Sequence, residues 1–159
     1  MNDLLSSLRS KGLNLKPSWV DDQLKTHHPQ NAEEFLFKTV LQSRLSVCSD
    51  GLLQTIQTPS KCYSIQSPIV LEIRGITNIA NPKDSQFEDS SNRMLKLELT
   101  DGVTSCYAIE FARVPSISAT LKSGTKLSVS NVRVENGYLL LNPSNTFLLG
   151  GCADRKSVV

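Results

Sequence analysis

The run from Arg93 to Phe111, R-M-L-K-L-E-L-T-D-G-V-T-S-C-Y-A-I-E-F, alternates in polarity around Asp101-Gly102. Leu95, Leu97 and Leu99 fall on one face of an extended chain and Met94, Lys96 and Glu98 on the other, because successive strand residues point to opposite sides of a sheet. Asp-Gly supplies the positive φ angles of a two-residue type I′ turn, so the run reads as a β-hairpin. The second half of the chain is therefore a β-domain with one buried face. Upstream lies a strand-like run from Ile69 to Thr77, followed by a polar stretch from Asn78 to Asn92 that is too long for a tight turn. A connection of that length in a compact domain commonly carries function.

Working outward, strands are expected at about 69–77, 93–100, 103–111, 126–134 and 138–141, with a sixth short one at 147–149. Asn136-Gly137 is a second tight-turn signal. The apolar phase slips from Leu127 and Val129 to Val132 and Val134, which predicts a β-bulge near Asn131. One strand, a long loop, a hairpin, an excursion and a second hairpin match the order of an OB-fold, the five-stranded Greek-key barrel. An SH3-like barrel is the competing topology.

The first half has helical periodicity. Leu4, Leu5 and Leu8 share a face, and Gly12 is placed to end that helix. Pro17-Ser18-Trp19 starts a second helix with Ser18 as N-cap, ending near His27-His28-Pro29. A third starts at Asn31, where Glu34 completes a capping-box-like pattern, and runs to Val47. Trp19 reads as the anchor of the small bundle these helices form. The polar stretch 51–67 reads as a connector.

Composition narrows the function. Lys and Arg number 17 against 15 Asp and Glu, spread evenly along the chain, so no basic patch marks a nucleic-acid binder by charge alone. Cys48, Cys62, Cys106 and Cys152 form no C-x-x-C pair and have no histidine at ligand spacing, so they read as free thiols and no metal is expected. No apolar run approaches the roughly 18 residues of a membrane span, and no signal peptide is evident at the start. An intracellular protein, cytoplasmic or nuclear, is expected. His27 and His28 sit where a helix end favours polar or cationic groups, and the carboxylates Asp21, Asp22, Glu33 and Glu34 occupy first helical turns. With no nucleophile–base pattern, phosphate loop or cofactor fingerprint, no catalytic residue, cofactor or small-molecule substrate is expected.

Two binding features remain. The hairpin strands offer Tyr107 and Phe111 with Arg93 and Lys96 against Glu98 and Glu110, a thin platform for stacking bases, so single-stranded nucleic-acid binding stands as the alternative function. The Asn78–Asn92 stretch holds Lys83 against Asp84, Glu88 and Asp89, an acidic balance suited to a basic protein surface. Doubled back in extended form, its tip would reach on the order of 20 Å from the sheet. Phe87, Ile79 and Pro82 are its candidate anchors, and a disordered polar loop is the other reading.

Three blocks in order, Arg93-Met94-Leu95-Lys96-Leu97-Glu98-Leu99-Thr100-Asp101-Gly102, Ser123-Gly124-Thr125-Lys126, and Gly137 to Asn145 followed by Leu149-Gly150-Gly151, resemble the N-terminal region shared by RecQ-mediated genome instability protein 1 and tudor domain-containing protein 3. The resemblance spans nearly the whole chain, with a looser match in the helices through Trp19 and the Glu34–Leu45 segment. It implies an α+β chain in which a small three-helix bundle precedes a five-stranded OB-fold barrel with an insertion between strands one and two. The expected division is 1–60 for the helices and connector, 61–152 for the OB-fold and 153–159 for a tail. Cys152 departs from the acidic residue that commonly follows Gly-Gly in this family.

The resemblance also implies a non-catalytic accessory subunit of a type IA topoisomerase of the topoisomerase III kind, reaching nucleic acid only through that enzyme, with the insertion modulating its gate. The short insertion, with Ala80-Asn81-Pro82-Lys83-Asp84, resembles the tudor protein and favours topoisomerase III beta over alpha. The expected partner-binding residues are Asn78, Ile79, Ala80, Asn81, Pro82, Lys83, Asp84 and Phe87.

Overall fold

The computed structural model describes residues 2–51 and 63–151; 52–62 of the expected connector and the expected tail lie outside them, while Tyr63–Ile65, read as the end of that connector, is instead a strand, because it pairs with residues 132–134. Helix α1 (Asn2–Ser10) closes as its glycine predicts. Gly12 adopts φ 99°, Leu13 N–H donates to Leu8 O at 3.0 Å and Gly12 N–H to Arg9 O at 3.0 Å. This is a Schellman closure, and Leu8 and Leu13 share one buried cluster as that motif requires. Gly12 also lies against strand backbone: a Cβ there would be 2.8 Å from Ile69 Cα.

Helix α2 (Pro17–His27) has Lys16, not Ser18, at its N-cap, because Pro17 takes the first turn, where its missing N–H costs nothing. Helix α3 (Ala32–Leu41) starts as expected, Asn31 Oδ1 accepting Glu34 N–H at 3.1 Å. It does not run to Val47. The chain leaves the helix after Leu41 and resumes as the one-turn α4 (Leu45–Cys48), so the described residues hold four helices rather than three. The break has a partner in the sheet. Lys126 Nζ donates to Leu41 O at 3.2 Å, and Leu45 N–H donates to Glu72 Oε1 at 2.9 Å, replacing the bond a continuous helix would make.

The described strands form one eight-stranded sheet in the order β1-β6-β7-β4-β3-β2-β5-β8. They are β1 (Tyr63–Ile65), β2 (Ile69–Asn78), β3 (Leu95–Thr100), β4 (Ser105–Glu110), β5 (Lys126–Val129), β6 (Val132–Glu135), β7 (Tyr138–Leu141) and β8 (Thr146–Gly150). Neighbours are antiparallel except β4 and β7, which run parallel. The expected count is corrected by a break and one addition. The strand read as 126–134 divides at Ser130-Asn131, where Asn131 takes φ 52°, β1 is added beside β6, and β8, paired with β5, is the short sixth strand expected at 147–149. Although β5 and β6 are separated by two residues, they lie on opposite sides of the strand order, so the sheet curls.

One hairpin turn is as expected. Asn136 and Gly137 both take positive φ between the paired residues Glu135 and Tyr138. The Asp101-Gly102 turn is corrected. Thr100 pairs with Ser105, leaving four residues outside the ladder, and only Gly102 has positive φ. Asp101 closes the loop with its carboxylate, which accepts the N–H groups of Val103 at 2.9 Å and Thr104 at 2.6 Å.

The core has two parts. Leu71, Ile73, Leu95, Leu97, Leu99, Leu127, Val129, Val132, Val134, Leu139 and Leu141 fill the concave side of the curled sheet. Leu8, Leu13, Val20, Leu36, Val40 and Leu45 form a second cluster between the helices, and Val70 of β2 joins it. That contact explains why Ile69 to Ile73 is buried on both faces: the curled sheet covers one side and the helices the other. Trp19, expected as the anchor of the bundle, packs against the helical cluster but is half-buried outside its buried core, which Leu8, Val20, Leu36 and Val40 fill.

Candidate partner-docking face

The connection between β2 and β3 is folded rather than extended. Asn78, fully buried at the end of β2, organises it. Its Nδ2 donates to Glu88 O at 2.9 Å and Ser90 Oγ at 3.1 Å, while its Oδ1 accepts from Ala80 N–H at 3.2 Å and Met94 N–H at 3.1 Å. Asn81 Nδ2 adds bonds to Ser85 O at 2.9 Å and Glu88 O at 3.1 Å. Between them Lys83–Ser85 makes a single 3-10 turn. Proline at 82 suits its entry, having no N–H to satisfy. The extended 20 Å arm is thereby corrected: local side-chain-to-backbone bonds close the segment on itself.

The far end of the loop is fixed to the sheet by Arg93. Its guanidinium donates to Glu110 Oε1 at 3.1 Å and Oε2 at 2.8 Å, to Asp89 Oδ1 at 2.9 Å, and to the carbonyls of Val114 and Ile117, each at 2.9 Å. Burial opposes the charge, but hydrogen bonds and attraction from Glu110 and Asp89 outweigh it and hold the guanidinium above its ordinary pKa. Asp89 Oδ1 also accepts Ala119 N–H at 3.2 Å, and Arg113 reaches Ser90 O at 3.4 Å. The loop is thus tied to β4 and to the segment that follows it.

The expected contact residues separate by position. Ile79, Ala80, Pro82, Lys83, Asp84 and Phe87 are exposed; Asn81 is half-buried, and Asn78 is internal. Phe87 is 61% and Ile79 47% exposed, large apolar groups that none of the described residues covers fully.

The convex face of the sheet continues from Ile79. Ile79 N–H donates to Met94 O at 2.9 Å, placing the two side by side across β2 and β3. The next row across the sheet is Thr77, Lys96, Ile109 and Leu140, and the one after is Gly75, Glu98, Tyr107 and Tyr138. Phe111 follows Ile109 at strand period and is 70% exposed, and Met94 is 40% exposed. Exposed Ile79, Met94 and Phe111, with half-buried Ile109 and Leu140 in the next row, therefore make an apolar strip beside an acidic loop. Met94 was not among the expected contacts, although its outward phase in the Leu95–Leu99 alternation placed it; Phe111 was noted only for base stacking.

Tyr107 and Tyr138 lie next to each other with centroids 6.3 Å apart, and Lys96 Nζ sits 4.8 Å from the Tyr107 centroid. The lysine is thus already engaged with the rings, and Glu98 stands opposite Tyr107. This leaves a weak electrostatic footing for phosphate.

Residues 88–157 match the family model described as "RMI1, N-terminal OB-fold domain". Tudor domain-containing protein 3 of Xenopus tropicalis is 46% identical over 92 residues, covering 57% of this chain and 13% of that protein. Tudor domain-containing protein 3 of Danio rerio is 29% identical over 156 residues, 97% of this chain and 21% of that protein. RecQ-mediated genome instability protein 1 of Arabidopsis thaliana is 29% identical over 140 residues, 86% of this chain and 21% of that protein. The chain thus spans about a fifth or less of the length of these relatives.

Proposed function

We propose, on the premise that this chain carries the N-terminal helical plus OB-fold region shared by tudor domain-containing protein 3 and RecQ-mediated genome instability protein 1, that it is a non-catalytic accessory subunit of a type IA topoisomerase of the topoisomerase III kind. The observation that carries the reading is the acidic, folded β2–β3 loop standing beside the Ile79–Met94–Phe111 strip. An apolar centre with a charged rim is the anatomy of a protein interface. The loop balance of one lysine against three carboxylates suits a basic enzyme built to hold nucleic acid.

In this reading β5 with β6, and β7 with β8, are the bent fourth and fifth strands of a five-stranded barrel, 61–152 being the OB-fold unit, 1–60 the helical unit and 153–159 a tail. The short insertion favours topoisomerase III beta, with alpha the other candidate, in the cytoplasm or nucleus. The chain touches DNA or RNA only through the enzyme. To bias strand passage, the loop must contact the open and closed gate differently, since equal binding to both shifts nothing.

The test is strand passage by topoisomerase III with this chain added, comparing wild type with a variant lacking 82–90. The deletion is expected to keep the sheet folded and to lose the stimulation; equal stimulation by both overturns the gate role.

A further inference from the structure

We infer that Asn78, Asp89 and Arg93 are positioning residues that hold the β2–β3 loop in one preformed shape, so that a partner meets a rigid docking element rather than a segment that folds on contact. The inference rests on reading the loop as the docking element, and it changes the part assigned to Asn78. A carboxamide has two N–H donors and two acceptor lone pairs, and Asn78 uses all four inside the chain, on Glu88, Ser90, Ala80 and Met94. Nothing of it is left for a partner. Its backbone N–H crosses the loop as well, to Gln86 O at 2.6 Å. Asn78 therefore touches both sides of the loop at its root.

The second pin is Asp89. One oxygen accepts from Arg93 at 2.9 Å and from Ala119 N–H at 3.2 Å, so it joins the descending side of the loop to the segment beyond β4. Arg93 is itself immobilised by Glu110 and two carbonyls, which gives Asp89 a fixed anchor. Ile79 and Phe87 are presented between the two pins. Where both ends of a short loop are fixed this way, its ordering entropy is lost when the chain folds and is not charged against association.

Amide hydrogen exchange on the whole chain tests this without a partner, so its result does not depend on whether topoisomerase III binds. The informative amides are Ser85 and Glu88, whose bonds run to Pro82 O and Ser85 O and involve none of the substituted side chains. In wild type they are expected to exchange at least about tenfold more slowly than in a free peptide of the loop sequence. Asn78→Ala and Asp89→Ala are expected to remove most of that protection while Leu97 and Leu99 stay protected. Asp89→Asn, which keeps the acceptor oxygen, is expected to retain it. Exchange at the peptide rate in wild type, or unchanged protection in both alanine variants, overturns the inference. Should Asn78→Ala fail to fold, Asp89→Ala decides alone, because Asp89 lies at the surface.

Discussion

The carbonyl of Leu41 and the amide of Leu45 stand four residues apart and do not bond to each other; the first accepts from Lys126 and the second donates to Glu72. Lys126 and Glu72 are buried and 3.4 Å apart, and Lys126 Nζ donates in addition to Gly124 O at 2.7 Å. A buried ion pair recovers its desolvation cost only when further hydrogen bonds complete both groups, and the interrupted helix provides them. The joint between helices and sheet is therefore polar at its centre.

Lys126→Met leaves Glu72 buried without its cation and takes the Lys126 donor from the carbonyls of Leu41 and Gly124. The expected loss of stability is about 3–5 kcal/mol, read from urea unfolding followed by Trp19 fluorescence. A loss below about 1 kcal/mol, the range of an exposed pair, would show that the pair does not hold the layers together.

This joint also marks where sequence reasoning ended. The 31–47 periodicity was legible as helix, but its break depends on Glu72 and Lys126, distant in sequence, and no local pattern records them. The alternation of Leu95, Leu97 and Leu99 gave the β3–β4 strands, and Asn136-Gly137 gave the turn between β6 and β7. Asp101-Gly102 carried the same turn signal but closes through the Asp101 carboxylate, because the turn is packed against α4. For the docking face, the loop and its exposed Ile79 and Phe87 were legible from polarity. The inward role of Asn78 was not, since buried and exposed asparagines look alike in one sequence, and the strip through Met94 and Phe111 appears only once β2, β3 and β4 are in register.

Gly102→Ala tests the packing of that turn. Gly102 has φ 104°, and an added Cβ would overlap the Leu45 carbonyl. Strain at positive φ together with the clash is expected to cost about 2 kcal/mol or more, measured as a fall in the urea midpoint at unchanged m-value. A neutral substitution would mean that α4 does not seat on the hairpin.

Cys48 and Cys106 provide a pH test. Burial pushes their thiols up to about 11 and about 12 from 9.0. Because the folded-state values are raised, the folded chain keeps protons that the unfolded chain releases. The stability linked to these thiols is therefore complete below pH 9 and declines as pH rises through 11 to 12. With Cys62 and Cys152 replaced by serine, iodoacetamide at pH 8 is expected to label neither remaining thiol until the chain is unfolded in denaturant. Rapid labelling of the native chain would contradict their burial.

Intrinsic nucleic-acid affinity is expected to be feeble. The Tyr107–Tyr138 pair can offer about 1–3 kcal/mol per stacked base, but Lys96 is engaged with the rings and Glu98 stands beside them. Fluorescence anisotropy with a labelled single-stranded oligonucleotide at physiological salt should show only weak binding. Tight binding with a steep salt slope would favour the single-strand-binding function instead.

The most direct measurement is size-exclusion co-elution of this chain with purified topoisomerase III beta and, separately, alpha, repeated with an Ile79→Asp, Phe111→Asp double variant whose circular dichroism and melting match wild type. The docking face predicts a stable complex for wild type, stronger with beta, and loss of co-elution for the variant, since two charges placed in a buried apolar strip are not accommodated. Co-elution of the folded variant at wild-type strength, or no complex of the wild-type chain with either enzyme, would contradict it.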